Sequence, residues 1–111
     1  MLRPAALRWS LWSAQAELAG RKLIALFDRA AARDFADVYV LAARFGTSLL
    51  VERAAEVDHG FDAQVLAEMF RTLSRYQDAD IPVPSDEVKA LRAFFVSWGE
   101  ELASAREAPD A

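Results

Sequence analysis

The sequence contains no cysteine, which excludes both a disulfide framework and a zinc site built on cysteine thiolates. Its single histidine, His59, excludes a histidine-rich metal site as well. Glycine is also scarce, with only four in 111 residues. Together with abundant alanine, leucine and arginine, this scarcity favours a helical chain.

Long apolar segments are absent too. No run approaches the roughly 18 apolar residues that a membrane-spanning helix requires. The opening segment MLRPAALRWSLWSAQ is interrupted by Arg8 and has no clear cleavage site, so it differs from a signal peptide. We therefore expect a soluble cytoplasmic protein with no membrane partner.

Apolar residues are plentiful, at 54% with three tryptophans and seven phenylalanines, and they can build the core of one domain. Charge is distributed unevenly. Residues 1–53 carry eight basic and five acidic side chains, whereas residues 54–111 carry five basic and twelve acidic ones. An anionic ligand is therefore expected to bind the first half of the chain.

The pattern of apolar residues predicts helices and no sustained strand, apart from an ambiguous LRWSLW. Helices are predicted at about residues 13–31, 34–45, 47–57, 62–76 and 85–106, with Asp34, Thr47, Asp62 and Ser85 at their N-termini. Gly20 weakens the first helix without ending it, and Gly46 is a C-cap. The predicted fold is all-α, a small bundle of about five helices.

Lys22 has an unusual position in the first helix. On a helical wheel it lies between Leu18 and Leu26, at the flank of the apolar stripe, whereas Arg21 lies on the solvated face. An ammonium group is costly to bury without a partner. The residues alone leave three explanations open: a side chain that extends over apolar surface to water, an ion pair with an aspartate of the next helix, or a phosphate site.

The next helix begins with Arg33, Asp34 and Asp37. Asp34 as N-cap and Asp37 in the first turn are both explained by free backbone N–H groups and the helix dipole. Arg33 precedes a helix start, where anions bind. We predict an antiparallel hairpin of the first two helices that pairs Lys22 with Asp37, with Leu23, Leu26, Phe27, Phe35, Val38 and Phe45 at its core.

These residues form a recognisable motif: Lys22-Leu23-Ile24-Ala25-Leu26, then Arg29, then Arg33-Asp34-Phe35-Ala36-Asp37. In this spacing the chain resembles the C-terminal motif region of the AbiEii/AbiGii family of nucleotidyltransferase toxins, which act in type IV toxin–antitoxin and phage-abortive-infection systems. The resemblance extends over about residues 17–102. It suggests an atypical segment at 1–16, a nucleotidyltransferase-like helical domain at 17–106 and a frayed tail at 107–111.

The resemblance implies a role for each motif residue. Lys22, and more weakly Arg29, would contact nucleotide phosphates; Asp37 would be a vestigial catalytic residue; and Arg33 and Asp34 would fix the second helix against the first. In the full family the nucleoside triphosphate is bound with Mg²⁺ by a separate α/β domain, which carries a Gly-Ser turn and an Asp-x-Asp pair on a strand. No metal site and no cofactor are expected in this chain.

Two segments imitate those missing motifs. Asp78-Ala79-Asp80 has the Asp-x-Asp form but lies in a proline-flanked loop after Lys22, and Gly46-Thr47-Ser48 follows a helix. Both are interpreted as turn and capping residues. The chain is therefore expected to be a C-terminal helical half, truncated, split or decayed, and inactive alone.

Two other functions remain open. The domain could be an interaction module that binds an antitoxin or a separately encoded catalytic chain. Self-association is a further expectation if Trp9 and Trp12 do not cover the apolar surface. Direct binding of nucleic acid is the weakest hypothesis, because the isoelectric point is about 4.9 and no helix carries clustered basic residues.

Overall fold

The computed structural model describes the backbone of residues 4–107 and the side chains of residues 14–105. Those residues form five α-helices and no strand, which confirms the all-α prediction. The helices are α1 (Pro4–Arg29), α2 (Ala32–Phe45), α3 (Thr47–Val57), α4 (Ala63–Phe70) and α5 (Val88–Glu107), with three 3-10 turns at Arg71–Arg75, Asp78–Asp80 and Ser85–Glu87. In this part of the chain no helix is both long and apolar enough to cross a membrane.

Helix α1 differs from the prediction at both ends. It begins at Pro4 instead of near residue 13, and proline is well tolerated there because the first N–H groups of a helix have no partner within it. It ends at Arg29 because Ala30 adopts a positive φ of 49°. Gly20 lies within the helix, as predicted. The expectations for the Trp9 and Trp12 side chains, and for the tail after residue 107, fall outside the described residues.

Of the predicted N-caps, Asp62 is confirmed. Its carboxylate accepts hydrogen bonds from the backbone N–H groups of Gln64 (2.8 Å) and Val65 (3.4 Å). Two other predictions name the wrong residue as the N-cap of a helix. Gly46 occupies the N-cap of α3 in place of Thr47, and Ser85 opens a 3-10 turn, so that α5 starts three residues later.

The core combines the first two helices with an aromatic cluster on α4 and α5. Phe35 of α2 packs edge-to-face on Phe95, with ring centroids 5.1 Å apart, and Phe95 in turn packs against Phe70 and Trp98. Of the six predicted hairpin core residues, Leu23, Leu26, Phe35 and Val38 are buried. The other two, Phe27 and Phe45, are only partly buried. Phe27 packs against Phe61 at 5.3 Å, at the edge of the core.

Gly20 allows α3 to approach α1 closely. A Cβ atom at position 20 would lie 2.7 Å from Cβ of Arg53 and 2.9 Å from its carbonyl carbon. The helices pack extensively against each other along this contact. The surface of α1 that remains open includes Lys22, on the side of α2.

Candidate nucleotide-phosphate site

Helices α1 and α2 meet at a two-residue corner, around which the charged residues of the motif are arranged. Ala30 is buried and has φ 49°, an uncommon conformation for a residue with a side chain. Its N–H still donates to the carbonyl oxygen of Leu26 at 2.9 Å, which completes the last turn of α1. Ala31 is extended and serves as the N-cap of α2.

Asp34 connects the two sides of this corner. Its carboxylate accepts hydrogen bonds from Nε and Nη2 of Arg29, both at 2.8 Å, and from the N–H of Ala31 at 2.9 Å. Because α2 begins at Ala32, Asp34 is its third residue, and the prediction that Asp34 is the N-cap is wrong. Its side chain points back to the preceding corner, where the guanidinium of Arg29 and the backbone N–H of Ala31 both donate to it.

The environment of Asp34 favours the ionised carboxylate. The side chain is 2% exposed, and burial alone would raise its pKa. The hydrogen bonds from Arg29 outweigh burial and lower the pKa of the Asp34 carboxyl below its ordinary value, with further help from the Ala31 N–H. The same hydrogen bonds raise the pKa of Arg29.

Lys22 and Asp37 form the predicted ion pair on the open side of the hairpin. Nζ of Lys22 lies 3.4 Å from Oδ2 of Asp37, and each side chain is 44% exposed. The contact is longer than the bonds within the Arg29–Asp34 pair and is open to water. Asp37 also adds to the negative potential at Arg29. The four charges thus form one cluster, in which Asp34 has three donors and Asp37 has one.

Residues 14–97 match the family model described as nucleotidyl transferase AbiEii toxin of type IV toxin–antitoxin systems. The match includes all four charged residues of the cluster and most of the chain. The chain belongs to the AbiEii toxin family. No curated protein and no solved structure gave a significant match.

Arg33 is the one charged residue of the AbiEii-like motif that lies outside the cluster's hydrogen bonds. Its side chain is exposed and makes no hydrogen bond or ion pair with any residue that the structure describes. Its charge contributes only a long-range lowering of the Asp34 pKa. The contact that fixes α2 against α1 comes from Arg29, to which sequence reasoning gave a phosphate role. Both nitrogens that Arg29 uses belong to one edge of the guanidinium, and its Nη1 group has no hydrogen bond to a described residue.

The two segments that imitate the AbiEii catalytic motifs have turn and capping roles, as predicted. Asp78 accepts a hydrogen bond from Nε of Arg92 at 3.0 Å and forms an ion pair with the same guanidinium, with Nη2 at 2.9 Å. Asp80 accepts a hydrogen bond from the N–H of Gln77 at 3.0 Å. Gly46 has φ 86° and joins α2 to α3, with its N–H bonded to the carbonyl of Ala42.

The AbiEii-like cluster offers few oxygen ligands for Mg²⁺. This ion takes about six oxygen ligands in an octahedron, usually including one or two carboxylates. The Asp34 carboxylate accepts three hydrogen bonds, so Asp37 alone could coordinate a metal, and it lies beside two cations. Within the described residues no group of three or more His, Cys, Asp or Glu side chains has metal-binding geometry.

Sequence reasoning missed two residues that hold the corner. The hydroxyl of Tyr76 donates to the carbonyl of Ala30 at 2.7 Å, and the carbonyl of Tyr76 accepts from Nη2 of Arg92 at 2.6 Å. Tyr76 lies 46 residues after Ala30. No local pattern signals a contact between residues so far apart in sequence.

A separate groove of about 620 Å³ lies between α4 and α5. The residues that line it include Phe70, Arg71, Phe95, Gly99 and Glu100. It shares no residue with the charged cluster. The Lys22 cluster is therefore the candidate phosphate site because of its charged side chains, although the groove is elsewhere.

Proposed function

We propose that this chain is the helical part of an AbiEii-like nucleotidyltransferase toxin, in which Lys22 binds the phosphates of a nucleoside triphosphate. On its own the 111-residue chain is inactive in nucleotidyl transfer. The observation that carries the proposal is the difference between the two ion pairs. Arg29 and Asp34 are joined tightly, whereas the Lys22 ammonium lies 3.4 Å from a half-exposed carboxylate.

A phosphate can replace such a carboxylate as the partner of Lys22. The ammonium group is a compact charge that suits developing negative charge at a transferring phosphoryl group. Arg29 supports the same ligand through its charge and its unused Nη1 donors, while its other edge keeps Asp34 in place. Asp37, displaced from Lys22, is then a polar residue at the edge of the site.

Inactivity of the isolated chain follows from its carboxylates. Two-metal phosphoryl chemistry requires carboxylates that hold ions about 4 Å apart. The Asp-x-Asp sequence at Asp78 and Asp80 is engaged with Arg92 and a backbone N–H in a 3-10 turn. The metal-binding half of the reaction is therefore assigned to another domain or chain.

Binding of inorganic tripolyphosphate and ATP tests the Lys22 assignment. NMR shift changes of the Lys22 side chain should follow the titration, and Lys22→Ala should weaken binding about tenfold. Arg21→Ala is the matched control, because it removes the same charge from the adjacent residue, whose side chain is exposed and 4.0 Å from Glu17. Equal losses in both variants would reduce the effect to net charge and reject the site.

Activity is tested with labelled nucleoside triphosphates, Mg²⁺ or Mn²⁺, and bulk tRNA as acceptor. No label should be transferred above the level of Lys22→Ala. Transfer by the unmodified chain that depends on Lys22 would refute inactivity and support the site at the same time.

The α4–α5 groove favours a second function, an interaction module that binds a separately encoded catalytic chain or an antitoxin. Val96 at the groove is an apolar side chain that is 62% exposed. Arg71 and Glu100 also line the groove, and neither forms an ion pair with a described residue. A partner helix with an apolar ridge and an acidic residue facing Arg71 fits this arrangement.

Co-expression with the proteins encoded beside this chain tests that function. Val96→Glu should abolish a specific complex, and Val40→Glu, at an equally exposed valine of α2 outside the groove, should leave it intact. A complex that withstands Val96→Glu would exclude the groove as its binding surface.

A further inference from the structure

We propose that Tyr76 is a positioning residue for the Lys22–Asp37 pair, acting through the corner between α1 and α2. The inference rests on the proposed phosphate site for its functional meaning. The contacts that support it are independent of any ligand. They connect the α4–α5 half of the molecule with the motif helices.

The hydroxyl of Tyr76 is the partner of a carbonyl group at the most constrained point of the hairpin. Ala30 is 3% exposed and has a positive φ, so its carbonyl oxygen lies where the helical hydrogen-bond pattern of α1 has ended. The Tyr76 oxygen approaches that carbonyl to 2.7 Å. Without the hydroxyl, a buried acceptor in an uncommon backbone conformation would lose its partner.

Tyr76 is itself held from two sides. Its ring packs edge-to-face on Phe35 of α2, with centroids 6.4 Å apart. Its backbone carbonyl accepts from Nη2 of Arg92, and Nη1 of Arg92 bonds the carbonyl of Leu73. Asp78 accepts a hydrogen bond from Nε of Arg92. The hydroxyl therefore projects from a braced segment and can restrain the corner.

The corner determines how Lys22 faces Asp37. Lys22 lies two helical turns before Arg29, and Asp37 lies between one and two turns into α2. A change in the angle between the helices is thus transmitted to the 3.4 Å contact between their side chains. Asp34 restrains the local backbone of the corner, and Tyr76 restrains it relative to the rest of the bundle.

The test measures the Lys22–Asp37 contact in solution through the ¹³Cγ NMR signal of Asp37. Lys22→Met is introduced into the native chain, into Tyr76→Phe and into Ser74→Ala, under conditions where urea titration shows each to be folded. Ser74→Ala is the matched control, because Ser74 also donates a hydroxyl hydrogen bond to a backbone carbonyl, that of Arg71, without touching the corner.

Lys22→Met should shift the Asp37 signal strongly in the native and Ser74→Ala chains and by less than half as much in Tyr76→Phe. The same shift in all three backgrounds would overturn the proposal. A reduced shift of the Asp37 signal in both Tyr76→Phe and Ser74→Ala would also overturn it, since that result reflects general loosening of the segment.

Asp78→Asn provides a second variant in case Tyr76→Phe does not fold. The Asp78 side chain is 75% exposed, so the substitution weakens the ion pair that holds Arg92 in place without opening the core. A reduced Asp37 response in Asp78→Asn would support the proposal, and an unchanged response in that variant would count against it.

Tripolyphosphate titration of the same samples separates this inference from the proposed function. If the native chain binds, Tyr76→Phe should bind about two- to tenfold more weakly, the range expected for the net contribution of one hydrogen bond. If the native chain does not bind, the phosphate site fails, while the Asp37 signal still decides whether Tyr76 positions the pair.

Discussion

Arg29 donates two hydrogen bonds of 2.8 Å to the buried carboxylate of Asp34, and this pair closes the corner between α1 and α2. The two residues are five apart in sequence but belong to different helices. The contact gives the AbiEii-like motif a structural centre, beside which the Lys22–Asp37 pair is longer and more open to water.

The first prediction concerns acid stability. Because the pKa of Asp34 is lowered in the folded state, its ionised form stabilises the fold at pH values above its unfolded pKa of about 4. That contribution is lost as the pH falls from there through the folded pKa.

Asp34→Asn should cost about 2–3 kcal/mol at pH 7, the scale of hydrogen bonds to a charged group. The difference from the native chain in urea-unfolding free energy should shrink below about pH 4. Exposed Asp86→Asn is the control, and an Asp34→Asn difference that is constant across pH would contradict the prediction.

The second prediction concerns Lys22 and Asp37. Both side chains are 44% exposed and their contact is 3.4 Å, so a double-mutant cycle with Lys22→Met and Asp37→Asn should give a coupling of about 0.5–1 kcal/mol. Raising the salt concentration should reduce this coupling. Arg21 and Glu17, an exposed pair at 4.0 Å, should show less. Additive effects at low salt would mean that the pair does not form in solution.

Two glycines in helices should respond oppositely to alanine. Alanine favours a helix over glycine by about 1 kcal/mol. At Gly20 the new Cβ would lie 2.7 Å from Cβ of Arg53, so crowding should dominate and Gly20→Ala should destabilise by about 1–3 kcal/mol. At Gly99 the new Cβ would lie 3.6 Å from Cδ2 of Phe70, an ordinary van der Waals distance, so Gly99→Ala should stabilise slightly. Thermal unfolding of both variants tests this prediction. Equal shifts in their melting temperatures would show that α1 and α3 separate more easily than their packing indicates.

The fourth prediction separates the centre of the core from its edge. Phe35 is fully buried between Tyr76 and Phe95, so Phe35→Ala should cost roughly 3–5 kcal/mol. Phe27 is partly buried beside Phe61, and Phe27→Ala should cost about half as much. Chemical denaturation measures both. A larger loss at Phe27 would place it at the centre of the hydrophobic packing, contrary to the burial observed.

The sequence by itself determined the fold class and much of the hairpin. Apolar spacing placed Leu23, Leu26, Phe35 and Val38 in the core, and the flank position of Lys22 indicated its pair with Asp37. These features follow from helical periodicity, which is a local property of the chain. The Asp62 cap was predictable for the same reason, since its donors lie two and three residues on.

Tertiary structure alone decided how the corner is built. Aspartate is a residue type typical of an N-cap, but α2 starts before Asp34 because Ala30 has a positive φ. The Asp34 carboxylate therefore points back to Arg29 and Ala31. The Tyr76 hydroxyl that bonds Ala30 comes from 46 residues away. Periodicity shows which face of a helix is apolar, but it carries no information on which distant donor reaches a given carbonyl. That depends on the angle at which the packed helices cross, and packing sets this angle only when the whole core is assembled.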